Sequence, residues 1–240
     1  AIKYLTLAQD SGVTLSRLSQ AYLENIDNFR EALDRESHLR EEEAVADDLP
    51  RVLLETTRGD IIIELFENEL PNAVANFIFL VEQGFYNDMD FFHVRPQYFS
   101  ATGCRNNDGT GTAGYNILKE PEHFALTNVE SFGALDQINL EDLYHGHQRH
   151  HTRGTVSMMA LEHLTYSSQF MICHRYSTMG QADKSHMAIG RVIEGMNVVT
   201  RLLAVSPRLA PKGVETDRLI RATVIRKRDH LYRPKASKEA

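Results

Sequence analysis

The chain has 240 residues, 42% of them apolar and 25% charged, which gives one ordinary domain plus an appendage, or two small domains, and excludes a disordered tail. A formal net charge of −7 argues against general nucleic-acid binding, and no run approaches the roughly 18 uninterrupted apolar residues of a membrane-spanning helix. Two cysteines, Cys104 and Cys173, make neither a CxxC nor a disulfide framework, so free thiols are expected. Charge is uneven: residues 1–50 carry 11 acids against 5 bases, and residues 218–240 carry 8 bases against 2 acids. These ends attract each other, meet a partner, or stand as two solvated faces. Residue 1 is Ala, and no basic, apolar, small-residue signal pattern follows it. A cytoplasmic protein fits that start best, with an upstream segment and export left open.

Residues 1–50 read as a helical N-terminal extension. "AIKYLTLAQDSG" is a short apolar-striped piece stopped by Gly12. Thr14 is a candidate cap for a longer helix in which Leu15, Leu18, Tyr22, Ile26, Phe29 and Leu33 recur at three- and four-residue spacings. Beyond residue 34 the pattern turns acidic in "ESHLREEEAVADD", where a frayed helix or linker closed by Pro50 is expected. One helix pair cannot bury its own apolar face, so an upstream helical region or a partner for residues 1–50 is left open.

From residue 51 the period becomes that of strands. "RVLLETT" and "IIIELF" flank "RGD", whose Gly59 marks a tight turn, and together they predict a β-hairpin. Turn chemistry accounts for the Arg-Gly-Asp triplet better than an adhesion motif does. Pro71 suits the first turn of a helix in which Val74, Phe77, Ile78 and Val81 share a face and Gly84 is the stop. Short strand-like runs follow at 91–101, 155–160, 168–173 and 187–193, spaced by Gly, Asn, Asp and Ser. "EGMNVVTRLLAV" predicts a second amphipathic helix with Met196, Val199 and Leu203 on one face, and "RLIRATVIRKR" a last strand. Many short strands and two helices predict a mainly β fold, a closed antiparallel barrel with helices over its ends. Closure removes the exposed edges such strands otherwise present.

Six segments, in order, carry a resemblance: "TTRGDIIIELFENELPNAVANFIFLVEQGFY", "FFHVRPQYFSATG", "GTGTAGYNI", "RGTVSMMA", "SSQFMI" and "HMAIGRVIEGMNVV". Residues 51–228 resemble the cyclophilin family of peptidyl-prolyl cis-trans isomerases. The resemblance implies a closed eight-stranded antiparallel barrel capped by two helices, filled inside with side chains, with substrate bound on the outer surface. Residues 1–50, an insertion at about 125–148 and a basic C-terminal tail at 229–240 lie outside it. The implied partners are proline-containing peptides or proteins, with no nucleic acid.

An Xaa-Pro bond has a small trans preference but a barrier of about 18–20 kcal/mol, set by amide resonance. Holding the ring in an apolar pocket, excluding water and aiming a donor at the proline nitrogen lowers that barrier. No nucleophile, metal or cofactor is required. The family aims the Arg that follows the His of a Phe-His-Arg run. Aligned without gaps between Gly84 and Gly103, this chain has His93 at the Arg position, Phe92 at the His position and Ala101 where a substrate-contacting Gln stands. Tyr98 and Phe99 fall at apolar proline-pocket positions, and Met171 replaces a pocket aromatic. Gln169 matches a Gln that contacts the peptide backbone, while Ala160 and Leu161 match the segment that pairs with substrate. Gln181 falls near a usual Trp in a loop two residues longer, Ala182 near a pocket Leu, and His186 at a pocket His. The resemblance thus implies a kept proline pocket with altered polar groups, His93 being the expected catalytic donor. Arg95 is the other candidate: along an extended strand it shares the His93 face, displaced by about 6.6 Å. The implied function is a weakened isomerase; the alternative is a non-catalytic proline-peptide or protein-interaction module.

Three further features have plainer readings. His145 and His147, with His150 or His151, lack a Cys pair and match no standard site, so a polar loop is expected and no metal. "NNDGTGTAG" lacks the Gly-Lys-Ser/Thr ending of a phosphate loop and reads as a turn-rich loop, which in the family borders the substrate groove. Glu162 and His163 are adjacent, so their side chains point apart as a surface pair.

Overall fold

The change of period at residue 51 is where the sheet begins. The computed structural model describes residues 2–15, 20, 23, 26–120, 149–161, 165–175, 185–203 and 216–237. Strand β1 (Arg51–Thr56) buries every second side chain and pairs with β2 (Gly59–Leu65) from Arg51↔Glu64 to Thr56↔Gly59. Gly59 turns the corner at φ 121, a region that suits glycine alone. The Arg-Gly-Asp triplet is turn chemistry: Arg58 Nε donates to both carboxylate oxygens of Asp217, at 2.8 and 2.9 Å.

The strands that follow are β3 (Met89–Asp90), β4 (His93–Arg95), β5 (Phe99–Thr102), β6 (Ile117–Leu118), β7 (Thr155–Ala160), β8 (Thr165–Cys173), β9 (Met187–Glu194) and β10 (Arg218–Arg226). All pair antiparallel, in the order β3-β10-β1-β2-β9-β7-β8-β5-β4, with β6 on β8. The strands at the two ends of that order are joined by only Phe91 and Phe92. The sheet therefore curls round until its ends are chain neighbours. Eight strands were expected; ten are present among the described residues, of which β3 and β6 are only two residues long.

Four helices accompany the sheet among the described residues: α1 (Ile2–Asp10), α2 (Ile26–Ala46), α3 (Pro71–Glu82) and α4 (Met196–Val199). None is long and apolar enough to cross a membrane. Pro71 opens α3, and the next two N–H groups, of Asn72 and Ala73, donate to the Glu120 carboxylate at 2.8 and 2.7 Å. That carboxylate meets the positive end of the helix dipole. Val74, Phe77, Ile78 and Val81 are buried in the barrel core with Ile61, Ile63, Phe170 and Ile189.

The structure corrects several expectations. The run 91–101 is a hairpin, not one strand: His93 faces Ala101 and Arg95 faces Phe99. Pro96 and the left-handed Gln97 (φ 66) force the reversal. The second helix is a single turn, and Leu202 is buried while Leu203 is half exposed. Leu202 lies four residues after Val198 and three after Val199, on their face.

The acidic stretch after residue 34 is regular helix through Ala46 rather than a frayed end. Glu36 and Glu43, seven residues apart, sit on one face of α2. Both meet Arg149, whose side chain is 2% exposed and stacks 3.9 Å from the Phe66 ring centroid. Arg191 joins the cluster through Glu43 and through Glu64 at 2.7 Å. Burial works against the Arg149 charge, but hydrogen bonds to Glu69 and Glu43 outweigh it and raise the Arg149 pKa. The oppositely charged ends also attract: Asp47 pairs with Arg226 and Asp48 with Arg228. The basic C-terminal segment is fastened to the barrel, with Tyr232 buried and its hydroxyl donating to Glu67 at 2.9 Å. The insertion at 125–148 lies outside the described residues.

Arg149→Met leaves three carboxylates facing each other without their shared cation. Removing one partner of a buried ion pair costs about 3–5 kcal/mol. Urea denaturation should show a loss of that order, and hydrogen exchange should show faster exchange across residues 36–46.

Candidate active site

Eight of the nine residues of β8 are buried, so both faces of this strand are covered. Alternation sends Phe170 and Ile172 into the barrel core and Met171 and Cys173 outward. Residues directly opposite in an antiparallel sheet share a face. One outward row is therefore His93–Ala101–Met171, and the next is Arg95–Phe99–Cys173. Ala101, Met171 and Cys173, with Phe92, Phe99 and Met159 against them, form a second apolar cluster, distinct from the barrel core.

The rim of this patch is polar. The exposed His93 ring lies edge-on to Phe99, with centroids 5.0 Å apart at 77°. Arg95 shares the His93 face, as the two-residue spacing requires, but its guanidinium carbon lies 4.4 Å from the Tyr98 ring centroid. Tyr98, 37% exposed, also carries the Arg175 guanidinium at 4.1 Å. Tyr98 is thus a stacking platform for two cations rather than a bare apolar wall.

On the β7 side, the Ala160 N–H donates to His186 Nδ1 at 3.0 Å and the Leu161 N–H to Thr165 O at 2.8 Å. Both N–H groups of this segment are already taken within the chain. Burial, then His151 and Lys119, push the His186 pKa down to about 4. With Nδ1 accepting, neutral His186 carries its proton on Nε2. Buried His151 meets Ser157 Oγ at 2.7 Å, and His174 meets Ser100 Oγ at 2.8 Å with its pKa lowered by burial and by Arg153.

Gln169 is buried, and its Nε2 donates to Gly109 O at 2.8 Å and Gly111 O at 2.9 Å. Cys104 Sγ accepts from the N–H groups of the same two glycines, at 3.2 and 3.1 Å. The glycine-rich stretch is therefore a loop wrapped on Gln169 and Cys104. At Gly111 a Cβ would sit 2.7 Å from Asn106 N, too close for any other residue.

The structure thus brings His93, Phe99, Ala101 and Met171 together, with Arg95 and Tyr98 at the end of the patch. Gln169 is taken up with the loop. Gln181 and Ala182 lie outside the described residues, as do Glu162, His163, His145 and His147. No group of three His, Cys, Asp or Glu among the described residues is placed to hold a metal. The sequence reading passed over Met159, Cys173 and Arg175. Strand alternation pointed to the first two, each two residues beyond an outward position, Ser157 and Met171. Arg175 follows the end of β8 and had no such signal.

The model of the cyclophilin type peptidyl-prolyl cis-trans isomerase/CLD family matches residues 51–224. A peptidyl-prolyl cis-trans isomerase of Synechococcus elongatus is 31% identical over 165 residues, covering 65% of this chain and 95% of its own. A peptidyl-prolyl cis-trans isomerase-like 1 protein of Aspergillus fumigatus is 28% identical over 178 residues, covering 74% and 97%. A solved cyclophilin type isomerase of Cryptosporidium parvum superposes with a TM-score of 0.54 at 19% identity, over 73% of this chain and 97% of that one, a likeness of fold. The chain belongs to the cyclophilin-type peptidyl-prolyl cis-trans isomerase family. The family is one of isomerases, and proline-containing peptides are its substrates.

An unfolded His takes its proton near pH 6.5, whereas folded His186 does so near 4. Between these values the unfolded state binds more protons, so stability falls as pH drops through that window. His174 adds to the same slope. Urea midpoints measured from about pH 7 to about pH 4 should fall accordingly, less steeply in His186→Gln, and NMR should find the His186 ring neutral throughout the upper part of the window.

Proposed function

We propose that the outer apolar patch is a proline-binding groove in which Xaa-Pro bonds isomerise slowly, with His93 as the donor. The observation that carries this reading is the apolar cluster on the outer side of the sheet, in which partly buried Phe92, Phe99 and Met159 lie against buried Ala101, Met171 and Cys173, with a hydrogen-bonding side chain, His93, in the same row as Ala101 and Met171. Phe99 and Met171 are the size and character of a proline-ring floor. His186, neutral with its donor on Nε2, and the Ala160–Leu161 segment flank the peptide. Gln181 and Ala182 belong to this reading from sequence alone. Relative to an Arg at the donor position, losing one charged hydrogen bond costs roughly 1.5–3 kcal/mol. If that bond acts only in the transition state, the rate falls by about 10- to 150-fold.

A second reading is a module that holds proline segments without turning them over. The stacking of Arg95 on Tyr98 favours it, because that guanidinium is engaged at the end of the patch.

A protease-coupled assay on a proline peptide separates the two readings. Measurable turnover that rises about tenfold or more in His93→Arg with Ala101→Gln supports the isomerase. Turnover equal to buffer at high protein concentration, with peptide binding retained, leaves only the binding module.

A further inference from the structure

We propose that the Arg95–Tyr98–Arg175 stack selects proline-containing segments that carry an acidic side chain beside the proline. The inference rests on the groove reading above and names the substrate class it favours. In a chain of net charge −7, most barrel arginines hold a carboxylate: Arg51, Arg58, Arg218, Arg221, Arg226 and Arg228 all do. Arg95 and Arg175 do not pair with any carboxylate among the described residues. Instead, their guanidinium carbons lie 4.4 and 4.1 Å from one ring centroid. Two like charges gathered on one aromatic platform repel, and an anion that reaches their N–H edges relieves that repulsion.

The stack is held ready for such a ligand. The Tyr98 N–H donates to Arg95 O at 2.9 Å, and its carbonyl accepts from the His174 N–H at 2.8 Å. The platform is therefore pinned on both sides by main-chain bonds. Stacking fixes a guanidinium over the ring while leaving its N–H edge for a carboxylate. Arg95 lies opposite Phe99 on the groove face, and Arg175 lies two residues beyond Cys173, so the cations border the apolar patch. An extended peptide advances about 3.3 Å per residue, which puts a neighbour of the bound proline within reach of a long Arg side chain.

The test is binding of proline peptides to the full chain. A single Glu, Ala or Lys is placed in turn at each of the three positions before and after the proline. Exposed ion pairs contribute modestly, so Glu should bind about fivefold tighter than Ala at one or two positions, with Lys weakest. The preference should shrink at high salt, because exposed charges are screened. It should fall in Arg175→Ala and reverse toward Lys in Arg175→Glu, with affinity for the Ala peptide kept in both. Equal binding of all three series, or a Glu preference unchanged in Arg175→Glu, overturns the proposal and leaves the groove standing. A single-stranded oligonucleotide that displaces the Glu peptide at similar concentration assigns the stack to phosphodiesters and overturns it as well. Failure of every peptide to bind the unaltered chain overturns the groove reading itself, and this inference with it.

Discussion

Strand β8 is buried on both faces, and much of the molecule is arranged to cover it. Its inward side chains, Phe170 and Ile172, are covered by α3 and the barrel core. Its outward ones need a second cover. The β4–β5 hairpin supplies Phe99 and Ala101, β7 supplies Met159, and the glycine-rich loop closes over Gln169. A two-faced apolar strand in an antiparallel sheet usually has one face packed and one wet. Here the second face is apolar and covered as well, with Ala101, Met171 and Cys173 buried, and only the partly buried Phe92, Phe99 and Met159 around them leave a small hydrophobic patch toward the barrel exterior. Such a patch, bordered by hydrogen-bonding groups, suits an apolar ring with a polar backbone on either side of it.

Charge organises what lies around the barrel. Part of the acid excess at the N-terminal end is paired with cations of the barrel. Glu36 and Glu43 project onto Arg149 and Arg191, and Asp47 and Asp48 onto Arg226 and Arg228. Arg149 is among the most enclosed charges described, and it is tolerable there because three carboxylates and the Phe66 face surround it. This arrangement gives α2 a specific seat rather than a strong one, since desolvating both partners offsets most of their attraction. The cations at the end of the patch, Arg95 and Arg175, follow a different logic, stacked on an aromatic ring with no carboxylate partner among the described residues.

Around the patch, the hydrogen-bonding groups divide by neighbourhood. His186 is kept neutral by burial and by the adjacent His151 and Lys119. His93 lies in the open, its ring set against the edge of Phe99 among the described residues. A donor oriented by one ring contact is less preorganised than one locked by hydrogen bonds. Preorganisation is what makes an electrostatic donor effective in a transition state. The family's reaction asks for no covalent step, so small differences in how a donor is held translate directly into rate.

The sequence by itself determined the elements whose causes are local. Alternation in residues 51–56, Pro71 and Gly84 around α3, and Gly12 after α1 were all legible, because each rests on neighbours within a turn or a strand pair. The ordered motifs made the family and its mainly β architecture readable, and with them the outward Phe99 and Met171. Only the tertiary structure decided the rest. Leu202 rather than Leu203 faces the core, Gln169 serves the loop, and the run from Phe91 folds back at Pro96 and Gln97 so that Arg95 meets Tyr98. The acidic helix found its role only because Arg149, 113 positions from Glu36, is carried to the same place by the sheet. Periodicity reports which face a residue lies on. Which partner waits at that face is set by strand pairing across the whole chain, and no local pattern encodes it.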